Sequence, residues 1–209
     1  MFNIQCINSI EKTTTCLFST FRIEPLKKGQ GITVGNALRR TLLSNISGTA
    51  IIGVRIADVN HEFSTIRGVK EDVIEILLNL KQIVFKGNLN EPIVARLNFQ
   101  GPGIITASDI QFTNDICLVE PKQYIATLTA NRALEMEFLL IQDQGYSLSG
   151  KKNANLPSGF LSVDAVFMPV RKVNFFVEAS QNNTSVETES LLLEIQTNGR
   201  DRKSTRLNS

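Results

Sequence analysis

The 209-residue sequence has no tryptophan, two tyrosines, one histidine and three cysteines, and each shortage removes a class of function. Cys6, Cys16 and Cys117 lie too far apart for the close pairs that zinc and redox motifs need, and an odd count argues against a disulfide framework. A reducing compartment fits. The lone histidine, His61, has only Asp58 and Glu62 near it in sequence, and no second cluster supplies the three or four ligands of a zinc site. It is read as a loop histidine in polar contacts, with neither a metal nor another cofactor expected. No apolar run approaches the roughly 18 residues of a membrane helix, and residues 1–10 lack the basic start and apolar centre of a secretory signal. With so few aromatics and no basic residues interleaved among them, a surface for single-stranded nucleic acid is poorly supported.

Charge is scarce as well, once its distribution is considered. Residues 201–209, DRKSTRLNS, resemble the translation of a common sequencing adapter and are read as a scar; Arg200 is a candidate for the same assignment. Setting aside Asp201, Arg202, Lys203 and Arg206 brings the basic and acidic residues to equal numbers, so the formal charge of +2 falls to zero. The sequence pI of 8.5 is then no argument for nucleic-acid binding. Catalytic signatures are missing too. The segment GQGITVG opens a helix, but no Gly-Lys-Ser/Thr follows, and no G-x-S-x-G elbow or proton-sharing carboxylate pair occurs.

What is present centres on residues 28–45, KGQGITVGNALRRTLLSN. Gly29 and Gly31 permit a sharp turn, Thr33 is a candidate N-cap, and a helix is expected over about 34–44. Val34, Ala37, Leu38, Thr41 and Leu42 recur at i, i+3, i+4, i+7 and i+8, forming one narrow apolar face. Gly35 and Ala37 keep the start of that face small, so another backbone can approach, and a second helix is the expected neighbour. Arg39 and Arg40 lie about 100° apart around the axis, so at least one projects off the face. Pattern alone describes an amphipathic helix on its own core with solvated arginines.

Around this stretch, residues 14–26 alternate as a strand and 49–59 are β-branched-rich and read as another. Residues 61–68 form a polar loop, and 70–84 carry Val73, Ile76, Leu77, Leu80 and Val84 at helical spacing. Short β runs follow at 93–99, 115–121, 123–129, 133–142, 160–167, 169–180 and 190–197, separated by a GPG turn at 101–103 and polar loops at 151–159 and 181–189. Strands at both ends flanking a distinct middle suggest an α+β fold. The expected division is a discontinuous domain made of the two ends, 1–47 plus 174–200, with a mainly antiparallel β domain, 48–173, inserted in it.

The segments PLKKGQGITVGNALRRTLLSNISGTAI and HEFSTIRGVKEDVIEILLNLKQIVFKG, followed by VDAVFMPVRKVNFFVE and LLLEIQTNG, resemble the N-terminal assembly region of the alpha subunits of bacterial-type DNA-dependent RNA polymerase. The texture is most similar to plastid and cyanobacterial versions. The resemblance implies a non-catalytic scaffold in a nucleotidyltransferase complex, located in the plastid stroma, or in the cytoplasm for a cyanobacterial source. It implies a homodimer joined through the helix carrying Val34, Gly35, Ala37, Leu38, Thr41 and Leu42, which recruits the beta and beta-prime subunits and meets DNA only through the assembled complex. It further implies that Arg40, His61, Lys81 and Val163 belong to, or lie near, the surface that docks the beta subunit, with the beta-prime surface around 172–190. Residues 180–190 depart from the arginine-containing pattern of many relatives. The family continues past Gly199 into a second dimer helix and, in most members, a linker and DNA-binding domain, which are expected to be absent here. The alternative is a stand-alone nucleic-acid-binding protein using Lys27, Lys28, Arg39, Arg40, Lys151 and Lys152.

Overall fold

The computed structural model describes residues 3–13, 16–112, 116–149, 156–180 and 188–200, and its contacts divide the chain into two compact units, Met1–Ile46 with Met168–Ser209, and Ser47–Phe167. Residues 201–209, the expected scar, lie outside the described residues, as do 151–155 and 181–187 of the two expected polar loops.

The first unit is a four-stranded antiparallel sheet with one helix across it. Strands β1 (Asn3–Thr13), β2 (Cys16–Lys27), β14 (Val170–Ser180) and β15 (Thr188–Thr197) pair in the order β1-β2-β15-β14, and helix α1 (Gln30–Ser44) packs on β2, β14 and β15. Strand periodicity builds the inner face, because alternate residues point the same way. Phe21 and Ile23 of β2, Val173, Phe175 and Val177 of β14, and Leu191, Leu193 and Ile195 of β15 turn toward Val34, Leu38 and Leu42 of α1. Strand β1 was not anticipated in the sequence: its side chains over 3–10 are all exposed, so no buried face marks it, and pairing with β2 alone makes it a strand.

The second unit holds strands β3 (Ser47–Ile56), β4 (Phe85–Lys86), β5 (Ile93–Gln100), β6 (Gly103–Thr106), β7 (Ile110–Gln111), β8 (Cys117–Leu118), β9 (Tyr124–Leu128), β10 (Ala133–Gln144), β11 (Tyr146–Ser147), β12 (Leu161–Ser162) and β13 (Ala165–Val166), with helix α2 (Val73–Lys81). Its main sheet runs β12-β3-β10-β5-β7, all antiparallel. The larger core sits on one face, where Val54, Ile56, Met136, Phe138 and Leu97 meet Val73, Ile76 and Leu80 of α2. The opposite face carries a smaller cluster of Ala50, Ile52, Leu139, Ala165 and Phe167. Strand β3 serves both faces because a bulge opposite Leu139 and Leu140 shifts its alternation, so Ile51 and Val54 share the larger core. Arg55, Glu137 and Arg96 lie in register across β3, β10 and β5, and Glu137 ion-pairs with both arginines.

The α+β class holds, with a mainly antiparallel β unit inserted in the sequence of the other. Several boundaries differ from expectation. Helix α2 spans nine residues where fifteen were expected, since Lys70, Glu71 and Asp72 precede the first helical turn and the chain leaves the helix after Lys81. The single run expected at 160–167 is two short strands, because Val163 breaks pairing to donate its N–H to the bulged Ile52 carbonyl at 2.9 Å.

Candidate functional site

Helix α1 starts earlier than Thr33 would set it. Gly29 is the N-cap, at φ 84°, a left-handed conformation that glycine adopts without a Cβ penalty. No side chain of the cap residue satisfies the free N–H groups. Instead Glu189 of β15 reaches the helix end: Oε1 accepts from the Gly29 N–H at 2.8 Å and Oε2 from the Gly31 N–H at 3.1 Å. A carboxylate at this position also complements the positive end of the helix dipole. Sequence offered no signal for this contact, since the partners are 160 and 158 positions apart.

Gly31 and Gly35 of α1 meet side chains of the helix's own sheet. A Cβ on Gly35 would lie 2.5 Å from Phe175 Cδ2, and one on Gly31 would lie 2.7 Å from a Val177 methyl. Both glycines are buried and admit the helix to its own sheet, with Gly35 packed against Phe175 of the same chain. Val34, Leu38 and Leu42 are half-buried on the same sheet, with part of each side chain left over. Ala37, Arg39, Arg40 and Thr41 are exposed, and Ile32 is 60% exposed. The pattern reading of a helix seated on its own core thus describes Val34, Gly35, Leu38 and Leu42, while the outer side of α1 presents Ala37, Arg40 and Thr41.

In the second unit, Lys81 and Val163 line one cleft of about 210 Å³ together with Glu62, Ile74, Leu77, Leu78, Ser149, Ser162 and Asp164. His61 is adjacent in sequence to Glu62 but is exposed, with Ser64 Oγ 3.0 Å from its Nδ1. Val163, one of the lining residues, is buried. Lys81, in the last turn of α2, donates from Nζ to the Tyr146 hydroxyl at 3.1 Å and to Asp164 Oδ2 at 3.2 Å, and lies 5.2 Å from the Tyr146 ring centre. The Tyr146 hydroxyl in turn donates to Asp164 Oδ2 at 3.0 Å, and the Ser149 N–H donates to Oδ1 at 2.8 Å. The Ser149 backbone N–H is the largest influence holding the Asp164 carboxyl down at about 2, with Tyr146 and Lys81 adding to it against the effect of burial. The Tyr146 contact likewise raises the Lys81 ammonium above its ordinary value. Lys81 and Asp164 are therefore both charged throughout the neutral range.

Nearby, Glu71 ties the start of α2 to β9: it accepts from the Tyr124 hydroxyl and from the Thr127 N–H at 2.7 Å. Burial pushes its carboxyl up, but these donors outweigh that effect and leave it below the ordinary value. Among the described residues no group of three His, Cys, Asp or Glu side chains converges as a metal site would require.

Comparison with known proteins adds the lineage. The family model for the RNA polymerase Rpb3/RpoA insert domain matches residues 54–168. The DNA-directed RNA polymerase subunit alpha of Emiliania huxleyi is 62% identical over 199 residues, covering 95% of this chain and 64% of the relative. Those of Guillardia theta and Rhodomonas salina are 52% and 50% identical over 198 residues, covering 95% of this chain and 62% and 63% of the relatives. The chain thus spans a little under two thirds of the length of these relatives. A family match across most of the second unit, with close relatives aligned along nearly the whole sequence, means that this chain belongs to the family of DNA-directed RNA polymerase alpha subunits.

Proposed function

We propose that the chain is a non-catalytic assembly scaffold of a plastid DNA-directed RNA polymerase, a subunit that dimerises through α1 and offers docking surfaces to the beta and beta-prime subunits. The polymerisation of nucleotides belongs to the assembled complex, and this chain contributes position, not chemistry. The observation that supports the reading most is the two-sided character of α1: its glycine side is consumed by Phe175 and Val177, yet Val34, Leu38 and Leu42 remain half-exposed beside Ala37, Thr41 and Ile32. Apolar surface left on a helix that is already seated on a core is surface available for a twofold mate. On the same helix Arg40 is exposed and projects its planar guanidinium outward, suited to a carboxylate or backbone carbonyls of a large subunit. The discontinuous domain assigned to dimerisation, with an inserted domain carrying Lys81 and Val163, is part of this proposal, as is the beta-prime surface along β14 and the start of β15.

The test is sedimentation across a concentration series, with and without co-expressed beta subunit. Ala37→Arg places charge on an exposed position and should abolish the dimer while leaving the circular dichroism spectrum unchanged. Arg40→Ala should leave the dimer intact and reduce recovery of the beta subunit. A dimer indifferent to Ala37→Arg, with beta recovered equally by Arg40→Ala, would refute the scaffold geometry described here.

A further inference from the structure

The Lys81 cleft carries a statement about what docks there, resting on the reading that this face belongs to the beta-subunit surface. A lysine on a docking surface suggests a carboxylate opposite it. The geometry here argues otherwise. Nζ has three donors, and two are committed within the chain, to Tyr146 at 3.1 Å and Asp164 at 3.2 Å. The ion pair is partly enclosed, each side chain being 29% exposed, so Asp164 neutralises most of the field that an incoming group would meet. A second carboxylate, Glu62, lines the same cleft, so that among the described residues its lining carries two acidic groups and one basic group. Against that described lining a partner carboxylate gains little from Lys81. The Tyr146 ring, 5.2 Å from Nζ, and the Asp164 oxygens fix the ammonium's orientation, leaving one donor without an acceptor among the described residues. Around it Ile74 and Leu78 are 39% and 54% exposed and apolar.

We propose that Lys81 meets its partner as a pre-oriented, charge-compensated hydrogen-bond donor, and that the partner supplies an uncharged acceptor, a backbone carbonyl of an apolar segment seated on Ile74 and Leu78. Tyr146 and Asp164 are positioning residues for that donor. Because they hold the ammonium in place before docking, ordering it costs little entropy on association.

The experiment measures affinity of the full chain for its beta subunit between low and high salt, for wild type, Lys81→Met and Tyr146→Phe. Lys81→Met keeps the apolar stem but removes the donor; it should weaken docking roughly five- to ten-fold, with the salt slope unchanged from wild type. Tyr146→Phe keeps the ring and removes the brace, and should weaken docking by a smaller factor, about three-fold, again without altering the slope. A Lys81→Met variant whose affinity has lost salt dependence present in wild type would show that the charge itself is read by a partner carboxylate, overturning this proposal while leaving the docking face intact. Equal affinity of wild type and Lys81→Met at all salt concentrations would overturn both the proposal and the assignment of this face.

Discussion

Gly35→Ala tests which neighbour the small face of α1 was selected to admit. In an exposed helix interior the change adds about 1 kcal/mol of stability through backbone entropy. Here the new methyl would lie 2.5, 2.8 and 2.9 Å from Cδ2, Cε2 and Cγ of Phe175. Because Cγ is close to the root of the side chain, rotating the ring does not clear the overlap, and helix or strand must move apart. Overpacking of this kind costs about 1–3 kcal/mol, so the clash outweighs the propensity gain and the variant should lose about 1 kcal/mol. For a unit of roughly 60–100 residues that corresponds to about 4–8 °C in Tm. The assay is thermal and urea unfolding at dilutions where the chain is monomeric, with Phe175→Leu as a second background. In that background Gly35→Ala should be neutral or stabilising, giving a coupling energy above about 0.5 kcal/mol. A wild-type background in which Gly35→Ala stabilises, or equal losses in both backgrounds, would refute packing against Phe175 and restore the idea that the glycine serves a second helix.

Two further changes probe contacts made far along the chain. Glu189→Gln removes the carboxylate that accepts from Gly29 and Gly31, and should cost about 1 kcal/mol by urea unfolding, with Glu189→Ala costing more; no change in either would mean that water caps α1 equally well. Asp164→Asn should destabilise the second unit by about 1–2 kcal/mol at neutral pH, the figure being discounted for its partial exposure. Since its carboxyl is lowered from 3.8 to about 2, that contribution is fully present above about pH 4 and is lost as pH falls toward 2, whereas the raised Lys81 contributes below 10.5 and is lost above it. A wild-type protein and an Asp164→Asn variant with parallel stability profiles between pH 5 and pH 2 would contradict this.

Local pattern was sufficient for the helices and most strands because burial on one face imposes a period that can be read one segment at a time. Val73, Ile76 and Leu80 mark α2, and Phe21 and Ile23 alternating with Arg22 and Glu24 mark β2. The motifs around α1 and residues 61–87 were likewise enough to suggest the lineage. Partners distant in the chain were a matter for the tertiary structure alone. Strand β2 pairs with β15 across more than 160 positions, bringing Glu189 to the start of α1, and β15 in turn pairs with β14, which carries Phe175 against Gly35. Lys81 finds Tyr146 and Asp164, 65 and 83 positions away, only because α2, β11 and the turn after β12 converge. Periodicity records which side of an element is covered; the identity of the group that covers it depends on long-range pairing, which no single segment encodes.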